Sequence, residues 1–350
     1  MCNIAEIDKN FKVIAEIKRD GVEFYNIDNP PFAVYGIYRD GDVYRRMPEQ
    51  VAKSVSNGVH KLHADTAGGR VRFKTDSRNI YIIVKNQRVG KMPHFAFTAS
   101  IGFDLYVKED TGYDYKKTFV PPVNITDGYE SVIDLKTNEL RDITINFPLY
   151  SSVQELLIGI DEGSILLEGD KYTNKNKVVY YGSSITQGGC ASRPGTCYQG
   201  HISRRFDCDY INLGFSGNAK AEQEMIDYIC SLDMDLFVYD YDHNAPNIEH
   251  LINTHEKMYK QIRAAFPTLP IIMMTAPCYK PSAEWQERSD VIRKNYENAV
   301  SNGDKNVYFI DGPTLMAVAK NEGTVDNCHP TDLGFYSMAC ALEEVLEKII

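Results

Sequence analysis

The stretch 178–189, VVYYGSSITQGG, places two serines and a glycine directly after a short β-branched and aromatic run. Such a run is typical of a strand that delivers a side chain into a tight turn at a sheet's edge. A serine hydroxyl is a weak nucleophile that needs a neighbouring base, itself oriented by a third group. Asp326 and His329 in the run 326–330, DNCHP, offer both partners near the other end of the chain. The sequence therefore predicts acyl-transfer chemistry with a serine nucleophile.

Further polar residues follow other predicted strands, in the loops that contain Gly217 and Asn244. Each is a weak signal alone, because Ser, Gly and Asn commonly fill turns and cap helices. In an open parallel sheet, however, the loops after the strands collect at one edge, where ligands bind. We expect His329 to take the serine proton while Asp326 holds the imidazole. The main-chain N–H groups of Ser184 and Gly217 and the side-chain amide of Asn244 would then form the oxyanion hole.

The elements that must position these residues alternate between strands and helices in the second half of the chain. One apolar helical face begins near Asn247 and another follows Pro330. This alternation predicts a parallel sheet wrapped by helices. The predicted strands are 178–182, 209–213, 235–242, 270–276 and 307–311.

The first half of the chain instead shows short segments of alternating apolar and polar residues between turn formers. A helical period is visible only in the segment 47–59. This texture predicts a β-sandwich, of jelly-roll type. The polar segment 168–177, EGDKYTNKNK, is typical of a connection, so we place one domain at 1–170 and a second at 171–350. The main predicted strand segments are 69–85, 94–109, 115–123, 140–150 and 153–161.

Composition and net charge limit the classes of molecule that this protein is expected to bind. The chain has 350 residues, 43% of them hydrophobic, and no run approaches the roughly 20 apolar residues that span a bilayer. A formal charge of -10 with scattered Lys and Arg argues against nucleic acid. The first twenty residues lack the basic head and apolar core of a secretory signal, so we expect a cytoplasmic protein. A neutral or weakly charged substrate fits better than a polyanion, and homo-oligomerisation stays open.

The eight cysteines contain no CxxC pair and no zinc-like spacing with histidine, which favours free thiols in a reducing compartment. Cys328 beside His329 could suggest a thiol nucleophile, but adjacent side chains in an extended loop usually point to opposite sides. Asp240, Asp242 and His243 could imitate a metal site, although carboxylates near a strand end are more often solvated or hydrogen-bonded. We therefore expect no metal and no other cofactor.

Four blocks, GSSIT, LGFSGN, YDHNA and DNCHP, resemble the four ordered blocks of the SGNH, or GDSL-type, serine hydrolases. The segment ASIGFDLYVK is similar to the Gly-x-Asp-Leu-Tyr signature of the β-sandwich domain that precedes the hydrolase in one subgroup. The resemblance implies a flavodoxin-like α/β/α hydrolase domain with a five-stranded parallel sheet. Ser184, Gly217, Asn244 and His329 occupy the four block positions and Asp326 completes the triad. Members with this two-domain layout are often similar to carbohydrate acetylesterases, which implies acetylated sugars as substrates.

Two block positions have alternatives. Where the family usually has Asp before the nucleophile, this chain has Ser183, and Ser184 is favoured because it stands two residues before Thr186. Ser183 could instead hydrogen-bond the turn or cap the following helix. In the third block, the number of residues from the start of the predicted strand at 235 favours Asn244 as the block asparagine. Asn247 is the fallback, although its position before a helical run favours capping.

Two further residues have both a functional and a structural interpretation. Arg193 could contact substrate or fix its loop through charge-assisted hydrogen bonds. Trp285 could stack on a sugar ring or pack against the N-terminal domain. Asp104 and Tyr106 are expected to organise the domain junction. The leading hypothesis is a serine esterase that forms an acyl-enzyme and releases short acyl groups, most of all acetyl. An acyltransferase and a carbohydrate-binding protein with little turnover are the alternatives.

Overall fold

Antiparallel strands form the N-terminal part of the protein, which a computed structural model describes over residues 17–350. One sheet has the strand order β1-β11-β6-β9, and the other has the order β12-β5-β10-β7-β8 with β2 also paired to β5. Strands β3 and β4 form a separate hairpin. The strands are β1 (Val22–Asn26), β2 (Ala33–Tyr35), β3 (Tyr38–Asp40), β4 (Val43–Arg45), β5 (Arg70–Thr75), β6 (Asn79–Arg88), β7 (Phe103–Glu109), β8 (Gly112–Phe119), β9 (Gly128–Asp134), β10 (Arg141–Asn146), β11 (Ser152–Asp161) and β12 (Leu166–Glu168).

Alternating residues of these strands build one apolar core between the two sheets. Phe103 and Leu105 of β7 meet Ile80 and Ile82 of β6 in this core, and all four side chains are fully buried. The two-residue period of a strand places such residues on the same face of their sheet. The predicted antiparallel β region is thus present, whereas its jelly-roll connectivity and the boundary at 170 stay predictions.

Short helices interrupt this region at α1 (Glu49–Val55), α2 (Asn57–Leu62) and α3 (Phe97–Ser100). The helical period predicted for 47–59 corresponds to α1 and the start of α2, which Ser56 caps by accepting from Val59 N–H. The prediction of a strand throughout 94–109 was wrong for α3. A short alternation of apolar and polar residues is compatible with a strand or with a helical turn. In the structure, the carbonyls of Ala99 and Ser100 accept hydrogen bonds from main-chain N–H groups in the segment after β10.

The C-terminal part contains the predicted parallel sheet. Its strand order, β14-β13-β15-β16-β17, is the flavodoxin-like order, which reverses direction beside β13. The α/β fold class with a five-stranded parallel sheet is therefore confirmed. The strands and helices are β13 (Asn174–Gly182), α4 (Ser184–Gln187), α5 (Tyr198–Phe206), β14 (Cys208–Gly214), α6 (Gln223–Cys230), β15 (Leu236–Asp240), α7 (Ile248–Ala265), β16 (Ile271–Met274), α8 (Ala283–Ser301), β17 (Val307–Ile310), α9 (Gly312–Leu315) and α10 (Asp332–Leu346).

Helices cover both faces of this sheet. Val179 and Tyr181 of β13 face the core formed with α6, α7 and α8, whereas Val178 and Tyr180 face α5 and α10. Burial on both faces explains why these strands are continuously apolar. Among the described residues, no helix has the length and apolar character needed to cross a membrane.

The third strand ends earlier than predicted. It stops at Asp240, and Asp242–Asn244 form a 3₁₀ turn instead of continuing the strand to 242. Arg288 of α8 stabilises this turn, because its guanidinium donates to the carbonyls of Asp242 and Ala245 at 2.9 and 3.0 Å. This early end brings Asn244 to the carboxyl edge of the sheet.

Candidate active site

Ser184 lies at the first position of α4, directly after the inner strand β13. Its neighbour Ser183 is the N-cap of this helix, with an extended backbone and a hydroxyl that accepts from Ile185 N–H at 3.1 Å. Ser183 is fully buried and Ser184 is 7% exposed. Capping therefore occupies the Ser183 hydroxyl, whereas the Ser184 hydroxyl is directed to another part of the chain.

That other part is the loop before α10. Ser184 Oγ lies 2.9 Å from His329 Nε2, although the two residues are 145 positions apart. His329 Nδ1 lies 2.8 Å from Asp326 Oδ2, and the main-chain N–H of His329 donates to Asp326 Oδ1 at 2.7 Å. A carboxylate that accepts from Nδ1–H leaves Nε2 as the free acceptor facing the serine. The structure thus joins all three predicted triad residues in one hydrogen-bonded chain.

The electrostatics keep Asp326 ionised and the Cys328 thiol protonated. Partial burial works against ionisation of Asp326, but hydrogen bonds from the His329 main chain and ring outweigh it and lower the pKa of the carboxyl. Burial raises the pKa of Cys328 to about 11, and its Sγ lies 3.8 Å from His243 Nδ1, not on His329. A neutral thiol is a poor nucleophile, so the geometry favours Ser184 over Cys328.

Three N–H donors at the carboxyl edge have no acceptor in the described part of the chain. They are the main-chain groups of Ser184 and Gly217 and the side-chain amide of Asn244. Asn244 Oδ1 accepts from Ala219 N–H at 3.1 Å, which fixes the amide and leaves its NH₂ available. Gly217 has a φ of +70°, a conformation that favours glycine, and a Cβ there would meet nothing within 4 Å. These donors are the ones expected for an oxyanion hole.

Two side chains that the sequence did not single out fix the Gly217 loop. The buried guanidinium of Arg46 donates to the carbonyls of Asn212 and Gly214 at 3.1 and 2.7 Å. Gln187 Oε1 accepts from Ser216 N–H at 3.1 Å, and its amide donates to Leu149 O at 3.1 Å. Arg46 belongs to the N-terminal part of the chain, and no local sequence pattern could have connected it with a loop 168 residues away.

Trp285 and Arg193 lie in different surroundings. The Trp285 ring, partly exposed, packs 4.5 Å from the His243 ring, next to the turn that carries Asn244, and 5.2 Å from the Arg288 guanidinium. Arg193 instead binds Asp104 at 3.2 Å and also donates to the Tyr106 hydroxyl. These contacts join the loop that contains Arg193 to Asp104 and Tyr106 of β7 in the N-terminal part. Substrate contact by either residue stays a prediction.

The carboxylates at the end of β15 are engaged by protein groups. Asp242 accepts from Ala276 N–H at 2.8 Å and from His243 N–H at 2.9 Å, and Asp240 accepts from the Thr186 hydroxyl. Both are buried, and burial raises the pKa of Asp240 to about 8 and that of Asp242 to about 6. They act as local supports for the turns around Ser184 and Asn244.

The N-terminal part also reaches the triad itself. Phe95 packs against the His329 ring, with centroids 6.1 Å apart, and the exposed His94 ring lies 5.8 Å from it. The buried Tyr150 donates its hydroxyl to the carbonyl oxygen of Ser184 at 3.0 Å. No sequence pattern indicated these contacts, because none of the three residues belongs to a recognisable block.

We predict that Tyr150→Phe lowers kcat several-fold, because the carbonyl of the nucleophile loses its only donor from the N-terminal part within the described residues. Tyr129→Phe is the matched control, since Tyr129 is also buried and its hydroxyl donates to the Phe119 carbonyl at 3.0 Å, away from Ser184. Each variant should lose about 1 kcal/mol of unfolding free energy. Kinetics and thermal melts compare the two, and equal kcat values for both variants would contradict a positioning role of Tyr150.

Residues 175–347 match the GDSL-like lipase/acylhydrolase family. Residues 22–166 match a second family, GxDLY, described as the N-terminus of SGNH-hydrolase-type esterases. The GxDLY signature corresponds to Gly102, Asp104, Leu105 and Tyr106. No curated protein matches the chain.

Solved structures share the complete two-part architecture. A GDSL-like lipase structure from Bacteroides ovatus is 27% identical, with a TM-score of 0.84 over 94% of this chain and 98% of that chain. A salicylyl-acyltransferase from a tetracycline biosynthetic pathway is 18% identical, with a TM-score of 0.75 over 95% and 99%. A family two carbohydrate esterase from Clostridium thermocellum in complex with cellohexaose is 13% identical, with a TM-score of 0.61 over 91% and 99%. With both family matches on one chain and in this order, the protein belongs to the GDSL-like lipase/acylhydrolases that carry an N-terminal GxDLY domain.

Proposed function

We propose that this protein is a serine esterase that removes short acyl groups, acetyl foremost, from carbohydrates. The observation that carries the proposal is the hydrogen-bonded chain from Ser184 Oγ through His329 to Asp326, with distances of 2.9 and 2.8 Å. Its position, after the inner strand β13 where the sheet order reverses, is where open α/β sheets bind their ligands.

In the acylation step, Ser184 Oγ attacks the ester carbonyl carbon while His329 Nε2 takes the hydroxyl proton. The carbonyl oxygen becomes an oxyanion, which receives hydrogen bonds from the N–H groups of Ser184 and Gly217 and from the amide of Asn244. Asp326 stabilises the imidazolium cation. Collapse of the tetrahedral intermediate breaks the bond to the alcohol oxygen, which takes the proton from Nε2 and leaves the acyl group on Ser184.

In the second step, His329 takes a proton from water, and the hydroxide oxygen attacks the acyl carbon in the same oxyanion hole. Collapse of this intermediate breaks the bond to Ser184 Oγ, which regains the proton from His329. The carboxylic acid leaves, and the enzyme returns to its starting state. Asp326 favours both steps because it holds the same tautomer of His329 throughout.

Aromatic side chains lie beside the triad and near the Asn244 turn. Phe95 and Tyr150, both nearly fully buried, pack against each other beside His329 and Ser184, with ring centroids 4.6 Å apart. The partly exposed Trp285 near the Asn244 turn would offer a flat surface to a sugar ring. The likeness in fold to a carbohydrate esterase with bound cellohexaose agrees with this substrate class.

Acyl transfer is a second candidate, which the likeness in fold to the salicylyl-acyltransferase favours. The same acyl-enzyme would form, and an alcohol or amine would replace water in the second step. None of the triad or oxyanion groups selects between the two acceptors, because His329 can take a proton from either. Product analysis with acceptor alcohols added to the assay distinguishes the two candidates.

Hydrolysis of chromogenic esters of increasing acyl length tests the proposal, followed by acetylated xylo-, manno- and gluco-oligosaccharides. We expect kcat/KM to be highest for the acetate and to fall about tenfold or more for long acyl chains. Release of free acetate from at least one oligosaccharide would support the carbohydrate assignment. A long-chain optimum would contradict a deacetylase, and tight glycan binding without turnover of any ester would indicate a binding protein.

A further inference from the structure

Two side chains with metal-binding atoms lie close to the proposed catalytic histidine. One donor atom from each of His94, Cys190 and His329 lies within 4.8 Å of the other two. His94 comes from the N-terminal part and Cys190 from the loop after α4, so the set exists only because the two parts of the chain pack together. Esterase chemistry requires neither His94 nor Cys190, and so the proposed function does not account for this arrangement.

We propose that His94, Cys190 and His329 form an inhibitory site for a borderline-soft divalent cation, of which Zn²⁺ is the best match. Zn²⁺ binds imidazole nitrogen at about 2.0 Å and thiolate sulfur at about 2.3 Å in tetrahedral geometry. Ligands at these bond lengths stand roughly 3.5 Å apart, so small side-chain rotations complete the site. The Cys190 thiol releases its proton to solvent as the bond between its sulfur and the ion forms. Solvent supplies the fourth ligand, and the exposed His94 gives the ion a path of entry.

The donor set selects the class of ion. Two nitrogens and one sulfur suit Zn²⁺ and its chemical relatives, whereas Mg²⁺ and Ca²⁺ prefer oxygen ligands. A second set, Asp326, Cys328 and His329, also brings its donor atoms within 4.8 Å of one another. There, however, Asp326 already accepts hydrogen bonds from the Cys328 and His329 main chain and from the His329 ring. Metal binding at this second set would disturb the hydrogen bonds of two ligands, Asp326 and His329. In the Cys190 set, His329 is the one ligand whose side chain has such bonds among the described residues, to Ser184 and Asp326, so the Cys190 set is favoured.

The consequence for activity rests on the proposed function. A ring nitrogen of His329 that binds a cation cannot accept the proton of Ser184, and cation binding also holds the ring away from its catalytic position. Zn²⁺ therefore competes with general-base catalysis while the fold stays intact. Removal of the ion by a chelator restores the base, so that inhibition is reversible.

The test titrates the full-length protein with Zn²⁺ and with Co²⁺. Zn²⁺ should inhibit ester hydrolysis, EDTA should reverse the effect, and Mg²⁺ should have none. Cys190→Ser and His94→Gln should keep the basal rate and raise the Zn²⁺ concentration for half-inhibition about tenfold or more. Co²⁺ provides a readout without turnover, because binding to Cys190 creates thiolate-to-cobalt charge-transfer absorption. This absorption is also measured in Ser184→Ala, where the metal ligands remain and the nucleophile is absent.

Cys328→Ser is the matched control, since Cys328 also neighbours His329 but lies outside the proposed set. Unchanged Zn²⁺ sensitivity in Cys328→Ser together with lost sensitivity in Cys190→Ser would support the assignment. The reverse pattern, or Co²⁺ absorption that persists in Cys190→Ser, would overturn it. Absence of esterase activity would count against the proposed function alone, because the Co²⁺ titration still reports whether the metal site exists.

Discussion

Ser184→Ala is expected to lower kcat on an acetate ester by about 10⁴-fold or more, with little change in KM. The variant has no hydroxyl for His329 to deprotonate, and only the oxyanion donors and substrate binding remain to accelerate the reaction. Loss of one buried oxygen should leave the melting temperature nearly unchanged. Initial rates, corrected for spontaneous hydrolysis, measure the effect. Mass spectrometry after treatment with an organophosphate should locate the adduct at Ser184 in the wild-type chain.

Ser183→Ala is the natural control, because it removes the adjacent hydroxyl without touching the proposed nucleophile. Ser183 Oγ caps α4 by accepting from Ile185 N–H at 3.1 Å, so its loss should cost about 1 kcal/mol of unfolding free energy. Its kcat should stay within a few-fold of the wild type. An inactive Ser183→Ala beside an active Ser184→Ala would assign the nucleophile to Ser183 instead.

Asn244→Ala should lower kcat by about 10²- to 10³-fold while KM changes little. The amide is proposed to donate to the oxyanion only after the carbonyl carbon becomes tetrahedral, so that its loss raises the barrier without weakening substrate binding. Asn244→Asp keeps an acceptor for Ala219 N–H, to which Asn244 Oδ1 is bonded at 3.1 Å, but brings a negative charge toward the oxyanion. We expect this variant to be at least as slow as Asn244→Ala.

Asn247→Ala tests the alternative residue of the same block. Asn247 Oδ1 accepts from His250 N–H at 2.8 Å and caps α7, as the sequence favoured. Its replacement should destabilise the fold by about 1 kcal/mol and leave kcat unchanged. Steady-state kinetics and denaturant unfolding of both asparagine variants decide the assignment. Full activity in Asn244→Ala with a large loss in Asn247→Ala would refute the proposed role of Asn244.

The sequence alone determined those features whose causes are local. The run before Gly182 predicted a strand and a turn, and the helical period after Asn247 favoured a capping role for this residue. The alternation of strands and helices was enough to predict the parallel sheet. That topology brings the loops after the strands to one edge, so the edge of the site was also predictable. Sequence alternation was insufficient at 97–100, where a helical turn and a strand carry the same apolar pattern.

Only the tertiary structure decided which distant groups surround the site. Arg46 holds the carbonyl of Gly214 across 168 positions, and Tyr150 holds the carbonyl of Ser184 across 34. The meeting of His94 and Cys190 beside His329 likewise depends on how the two parts of the chain pack. Hydrogen bonds and ligand sets between residues that are distant in the sequence produce no periodic pattern along the chain. They form where surfaces from separate elements meet, and a single sequence records the elements but not their contacts.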